Sequence, residues 1–180
     1  MAIQRLVIDG FGQIEPNNVT FTRDGRIEAQ CALNKADFTE AVAENGMLLA
    51  VDTASREVKL PADDKLPIAI HYSTEKIYNQ FTPGLKNFKL DAKSGYCPRM
   101  GFLTIGETFT SNCIAYDTDE FTDDAALKEA IANKTALYAG ACENGAIKIS
   151  ATKPAFGPVL RVAAATTMPD GQYAVEFHVQ

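Results

Sequence analysis

Pro158-Val159-Leu160-Arg161-Val162-Ala163-Ala164-Ala165-Thr166-Thr167-Met168-Pro169-Asp170-Gly171-Gln172-Tyr173-Ala174-Val175-Glu176-Phe177-His178-Val179 is the stretch that decides the fold. Two runs rich in β-forming residues flank Met168-Pro169-Asp170-Gly171. Proline presets φ for a turn, aspartate bonds its own backbone, and glycine accepts a positive φ. The second run alternates, with Tyr173, Val175, Phe177 and Val179 on one face and Gln172, Ala174, Glu176 and His178 on the other. Period two is the mark of a half-buried strand, so the chain is predicted to finish as a β-hairpin.

The same pattern recurs upstream. Residues 19–23 and 26–33 flank Asp24-Gly25, and residues 137–142 and 146–150 flank Asn144-Gly145. Both dipeptides suit two-residue hairpin turns. Further strands are expected at 47–51, 57–60, 67–72, 101–105 and 108–116. Two short helices interrupt them. Asp37, with Glu40 three residues on, predicts an N-cap; Phe38, Ala41 and Val42 form its apolar side, and Asn45-Gly46 its stop. Thr122 caps the second, Asp123 and Asp124 complement its dipole, and Leu127, Ala130 and Ile131 form its buried stripe.

The expected fold is therefore mainly β with two short helices, a β-sandwich or barrel-like domain that is α+β by content. Residues 1–18 read as an extended arm, 19–80 as an N-terminal β-rich half, 81–100 as a linker or long loop, and 101–180 as a C-terminal β-rich half. A faint echo links the halves. Glu44-Asn45-Gly46 matches Glu143-Asn144-Gly145, Pro67-Ile68-Ala69-Ile70 matches Pro158-Val159-Leu160-Arg161, and a short helix precedes an apolar strand in each. Two similar small β domains and coincidence both account for it. The echo is ambiguous because the first Glu-Asn-Gly reads as a helix end and the second as a hairpin turn.

The net charge of −6 and a pI near 4.9 argue against a nucleic-acid partner, since phosphate binding needs clustered Lys and Arg. An apolar fraction of 46% supplies a core, but no stretch approaches the roughly 20 apolar residues that span a bilayer. The first residues lack the apolar segment of a signal peptide, and Cys31, Cys97, Cys113 and Cys142 have no C-x-x-C spacing. Buried free thiols in a chain made in a reducing cytoplasm are the expectation.

No motif announces chemistry. The only histidines, His71 and His178, sit in expected strands, where a surface position is the simplest reading. Ser73 and Thr74 follow His71 too closely in sequence to suggest a nucleophile–base pair. The run Asp117 to Asp124 lacks the glycine and the terminal glutamate of a calcium loop, and Asp63-Asp64 reads as loop chemistry. No phosphate-binding glycine motif occurs. The expectation is a chain without a catalytic site, cofactor or metal, built to present surface.

Gly106-Glu107-Thr108-Phe109-Thr110-Ser111-Asn112 and Met168-Pro169-Asp170-Gly171-Gln172-Tyr173-Ala174-Val175, together with the hairpins, resemble the capsid decoration (cement) proteins encoded among tailed-phage head genes. The likeness is to Gly-Asp-x-Phe-Thr-Thr-Asn stretches of that class. It covers the C-terminal half and departs at Glu107 and Ser111. The resemblance implies a virion protein that docks in many copies on the outside of an assembled head. Its partner would be the major capsid protein, with copies associating as homo-oligomers on the shell. In the N-terminal arm, Leu6, Val7, Ile8, Phe11 and Ile14 are the candidate docking residues. The alternatives are another virion component (tail-tube, head–tail joining or fibre-base) and a host-surface or carbohydrate-binding module. Absence of Trp weighs against the last.

Overall fold

The computed structural model describes residues 2–25, 27–73, 89–93 and 95–180. Among them the chain is mainly β. Its strands are β1 (Ile3–Arg5), β2 (Ile14–Asn18), β3 (Ala29–Gln30), β4 (Ala32–Leu33), β5 (Ala43–Glu44), β6 (Leu48–Asp52), β7 (Glu57–Lys59) and β8 (Ile68–His71). The later strands are β9 (Lys89–Leu90), β10 (Arg99–Gly101), β11 (Thr108–Ser111), β12 (Ile114–Asp117), β13 (Tyr138–Ala141), β14 (Ile147–Ser150), β15 (Leu160–Thr167) and β16 (Tyr173–Val179). Two helices, α1 (Thr20–Arg23) and α2 (Asp124–Ala132), complete the set.

A six-stranded sheet runs β3-β10-β8-β6-β7-β4. Its two edge strands are separated in the chain only by Cys31, so the sheet curls until both edges meet at one bend. The eight-stranded sheet holds the same plan, β11-β16-β15-β13-β14-β12, with β11 and β12 separated by Asn112-Cys113. Strand for strand, the chain order and the direction of every pairing agree. The agreement includes the parallel pairs β4–β7 and β12–β14 amid antiparallel neighbours. The protein thus contains two copies of one curled six-strand topology. Strands β1 and β2 then extend the second copy, pairing with β12 and β11.

Burial explains the apolar runs. Leu48, Ala50, Ile68 and Ile70 join the core of the eight-stranded sheet, while Leu49, Val51 and Ala69 face the interior of the six-stranded one. Strands β6 and β8 are covered on both faces, which is why they do not alternate. By contrast β15 emerges from the sheet with residues 163–167 exposed, and β16 keeps Val175, Phe177 and Val179 inside, as its alternation requires.

Several expectations change. Residues 19–23 fold into the turn of helix α1 instead of a strand, with Asp24 N–H bonded to the Thr20 carbonyl at 2.8 Å. The expected helix near 37–42 is a series of turns. Asn34 Oδ1 accepts from Ala36 and Asp37 N–H, and the Asp37 carboxylate accepts from Leu60 N–H at 2.9 Å, so it caps no helix. Asn45-Gly46 then turns β5 into β6. In the stretch expected to be a linker, Lys89–Leu90 pairs with β5, and Arg99–Gly101 pairs with β3 and β8. The chain passes between the sheets later, between Gly101 and Thr108; residues 81–88 lie outside the described residues. The arm at 1–18 is stitched into the sheet through β1 and β2.

Helix α2 is present, but Asp123 caps it, accepting from Ala126 N–H at 2.8 Å. Leu127 and Ile131 are buried as expected, with Ala130 partly covered. Asp123→Ala is expected to cost about 1 kcal/mol, read as a lower urea midpoint at unchanged slope.

Candidate functional site

A groove of about 770 Å³ lies between β2 of the larger sheet and the β8–β10 side of the smaller one. Ile14, Phe21, Ile27 and Tyr72 form its apolar wall, and Asn17, Asn45, Ser73 and Arg99 supply polar groups. Phe21 and Tyr72 pack ring on ring, centroids 4.4 Å apart and tilted by 44°. Helix α1 delivers Phe21, and Gly101 makes room for it. A Cβ at position 101 would meet three ring atoms of Phe21 at 2.5–2.7 Å.

Behind the groove lies His71, only 1% exposed. Its Nε2 is 2.7 Å from Ser73 Oγ, which also accepts the Arg99 N–H at 3.3 Å. Asn45 donates through Nδ2 to the Ser73 carbonyl at 3.1 Å. Adjacency in sequence therefore does not prevent a Ser–His contact, contrary to the expectation, and His71 is core rather than surface. The pair is nevertheless poorly suited to nucleophilic chemistry. Burial pulls the imidazole down to about 4, against a smaller opposing pull from the Glu44 backbone, so it is a weak base. Among the described residues Nδ1 has no hydrogen bond of normal geometry to orient it, and the nearby Glu44 carboxylate is committed elsewhere.

This burial makes stability pH-dependent. A histidine that titrates near 4 when folded and near 6.5 when unfolded binds more protons unfolded throughout that interval. Stability is full above 6.5, falls as the pH drops, and levels off below 4 after a loss of about 3 kcal/mol from this group. Urea melts between pH 7 and 4 should show this slope in the native chain, and His71→Gln should remove its share.

The Glu44 carboxylate, 2% exposed as a residue, closes a second polar cluster. It takes a hydrogen-bonded ion pair from Arg5, the Gly12 N–H at 3.1 Å, and Lys89 Nζ at 3.7 Å. Arg5 also reaches the Cys113 sulfur at 3.4 Å. Burial pushes the Cys113 and Cys142 thiols up to about 12 and 11, which keeps them neutral and unreactive. The cluster ties β1, at one edge of the eight-stranded sheet, to the two-stranded pair β5–β9.

Of the arm residues, Leu6 is 2% exposed and in the core, and Ile14 packs against it; Ile8 and Phe11 are partly covered. Val7 is 78% exposed. The acidic run does structural work: Asp117 bonds Asp119 N–H, Asp123 caps α2, and Asp124 accepts from Tyr116 OH at 2.8 Å and Val7 N–H at 3.1 Å. No group of three or more metal-ligating side chains converges among the described residues, and no described helix is long and apolar enough to cross a membrane.

What sequence reasoning missed is the groove, because its wall joins α1, β2 and β8, three segments that no local pattern connects. Comparison with protein-family models, with curated proteins and with solved structures gave no significant match to this chain.

Proposed function

We propose that the chain is a capsid decoration protein, binding the outer surface of an assembled phage head and stabilising it. One observation supports this above the others. The two stretches that carry the resemblance, around Thr108–Ser111 and Tyr173–Val175, belong to neighbouring strands, with Ser111 opposite Val175. A likeness scattered along the sequence is thus gathered in one part of one sheet. The clamped N-terminal strands and shared core give a stiff body, and each copy need bind only modestly when contacts repeat over a shell.

The test is sedimentation. Purified protein is mixed with heads of the encoding phage that lack it, and separately with detergent-extracted host cells. Pelleting with the heads alone is the expected result; pelleting with the cells alone, or with neither, overturns the reading. A second reading, a module that binds surface saccharides, draws on the groove, where Tyr72 stands beside Asn17 and Asn45. It predicts the cell-only outcome, abolished by Tyr72→Ala.

A further inference from the structure

Strand β15 is twice as long as its counterpart in the first copy of the topology, eight residues against the four of β8. Strand β8 is buried along its whole length and lies between β6 and β10. By contrast β15 pairs with β13 only at Leu160 and Arg161, with one further bond from Val162 N–H to the Leu137 carbonyl. The β15–β16 register then shifts between Val162 and Ala164, a bulge placed where the pairing with β13 ends. From there on β15 has a strand neighbour on one side only. Among the described residues, 163–167 make no hydrogen bond outside the β16 ladder. Side chains alternate between the faces of a strand, and all five residues are exposed, so neither face is covered although helix α2 passes close by.

No other sheet edge among the described strands is left in this state. Strand β1 has three residues and ends in Arg5, which is paired with Glu44. Strand β2 carries Pro16, which has no N–H to offer, and a register shift of its own. Strands β3, β4, β5 and β9 have two residues each. Short length, charge and proline are the means by which proteins keep an edge from pairing. Ala163-Ala164-Ala165-Thr166-Thr167 has no charge and no proline. Its three alanines leave the backbone open to approach, and its threonines favour the extended chain.

An edge like this accepts a strand that is equally free of obstacles, and the same segment of a second copy is one. The net charge of −6 holds copies apart in general, but this segment is neutral. It is also flanked by opposite charges, Arg161 before it and the exposed Asp170 after it. Strands related by a twofold axis run antiparallel. Pairing centred on Ala165 therefore brings the Arg161 end of each copy to the Asp170 end of the other.

We infer that Ala163–Thr167 is a dimer edge, which pairs antiparallel with the same segment of a second copy and continues the eight-stranded sheet across a twofold axis. The contact uses up the open edge of both copies, so the assembly closes at two. Five residues a side are far fewer than the roughly 20–30 of a stable complex, so the dimer is weak and depends on concentration. It forms in solution and stands apart from the decoration reading.

Sedimentation velocity and amide exchange, both run from about 10 μM to 1 mM, test it. The native chain should pass from monomer to dimer, and backbone amides within 163–167 should gain protection over the same range. Ala165→Thr keeps the edge neutral and should behave likewise. Ala165→Lys sets like charges across the axis and should raise the dissociation constant about fivefold or more. It also brings the net charge nearer zero, which by itself favours association, so a loss belongs to the edge. Ala36→Lys makes the same change of charge in the turns after β4 and should leave the dimer intact. Each variant is first shown to melt like the native chain. A native chain still monomeric at the top of that range overturns the inference. So does a dimer that survives Ala165→Lys, one lost equally in Ala36→Lys, or a species that grows beyond two copies.

Discussion

Gly46→Ala should be the most damaging single methyl group that can be added to this protein, costing about 4 kcal/mol. Gly46 has φ +86°, in the left-handed region that costs a residue with a Cβ about 1–2 kcal/mol. The added Cβ would also collide with Ser111 Oγ and lie 2.9 Å from the Gln13 carbonyl oxygen. Neither neighbour can retreat. Ser111 Oγ donates to that same carbonyl at 2.8 Å and accepts Cys113 N–H at 3.0 Å, which fixes the bend between β11 and β12. Gly46 itself donates to the His71 carbonyl at 2.9 Å. The substitution thus strikes a point where the turn before β6, the β11–β12 bend and strand β8 meet. Equilibrium urea unfolding reads the loss; a change below about 1 kcal/mol would show that the turn relaxes and that this junction is not rigid.

Glu44→Ala is expected to cost a similar amount, also about 4 kcal/mol. Removing the carboxylate strands the Arg5 guanidinium and the Gly12 N–H, both of which point at it. Breaking one side of a buried pair costs about 3–5 kcal/mol, because the partner keeps its desolvation without its attraction. The Arg5 side chain retains 31% exposure, which holds the cost below the top of that range. The matched experiment is Arg5→Met/Glu44→Leu, which removes both charges and should recover most of the loss. If the double variant is as unstable as Glu44→Ala, the cluster stabilises through packing and not through charge. Hydrogen exchange should also localise the Glu44→Ala effect to β1 and the Gly12 segment, since the clamp attaches them to the β5–β9 pair.

The repeated topology shows which sequence signals were sound. Pro67-Ile68-Ala69-Ile70 and Pro158-Val159-Leu160-Arg161 lead into β8 and β15, which hold equivalent places in the two copies. The turns at 35–40 and helix α2 fill equivalent connections, β4 to β6 and β12 to β13. The Glu-Asn-Gly match was misleading, since one copy precedes β6 and the other joins β13 to β14. The tight Met168–Gln172 turn of the second copy corresponds to the whole connection from residue 72 to residue 98 in the first. That long insertion hid the repeat from any search for a fixed period.

Local rules settled what short-range physics can settle. The closing hairpin, the Asn144-Gly145 turn, helix α2 and the apolar strands β6 and β8 follow from turn stereochemistry and from the period of apolar residues, which involve neighbours a few positions apart. Tertiary packing decided the remainder. It wound Thr20–Arg23 into a helical turn so that Phe21 reaches the core. It spent Asp37 on Leu60 and buried His71 beside Ser73. It also drew β1 and β2 into the larger sheet and set Tyr138, Lys153 and Arg161 together on its outer face. Those outcomes depend on partners tens of residues away, and the free energy of burying or pairing a side chain there exceeds the fractions of a kilocalorie that separate local conformations.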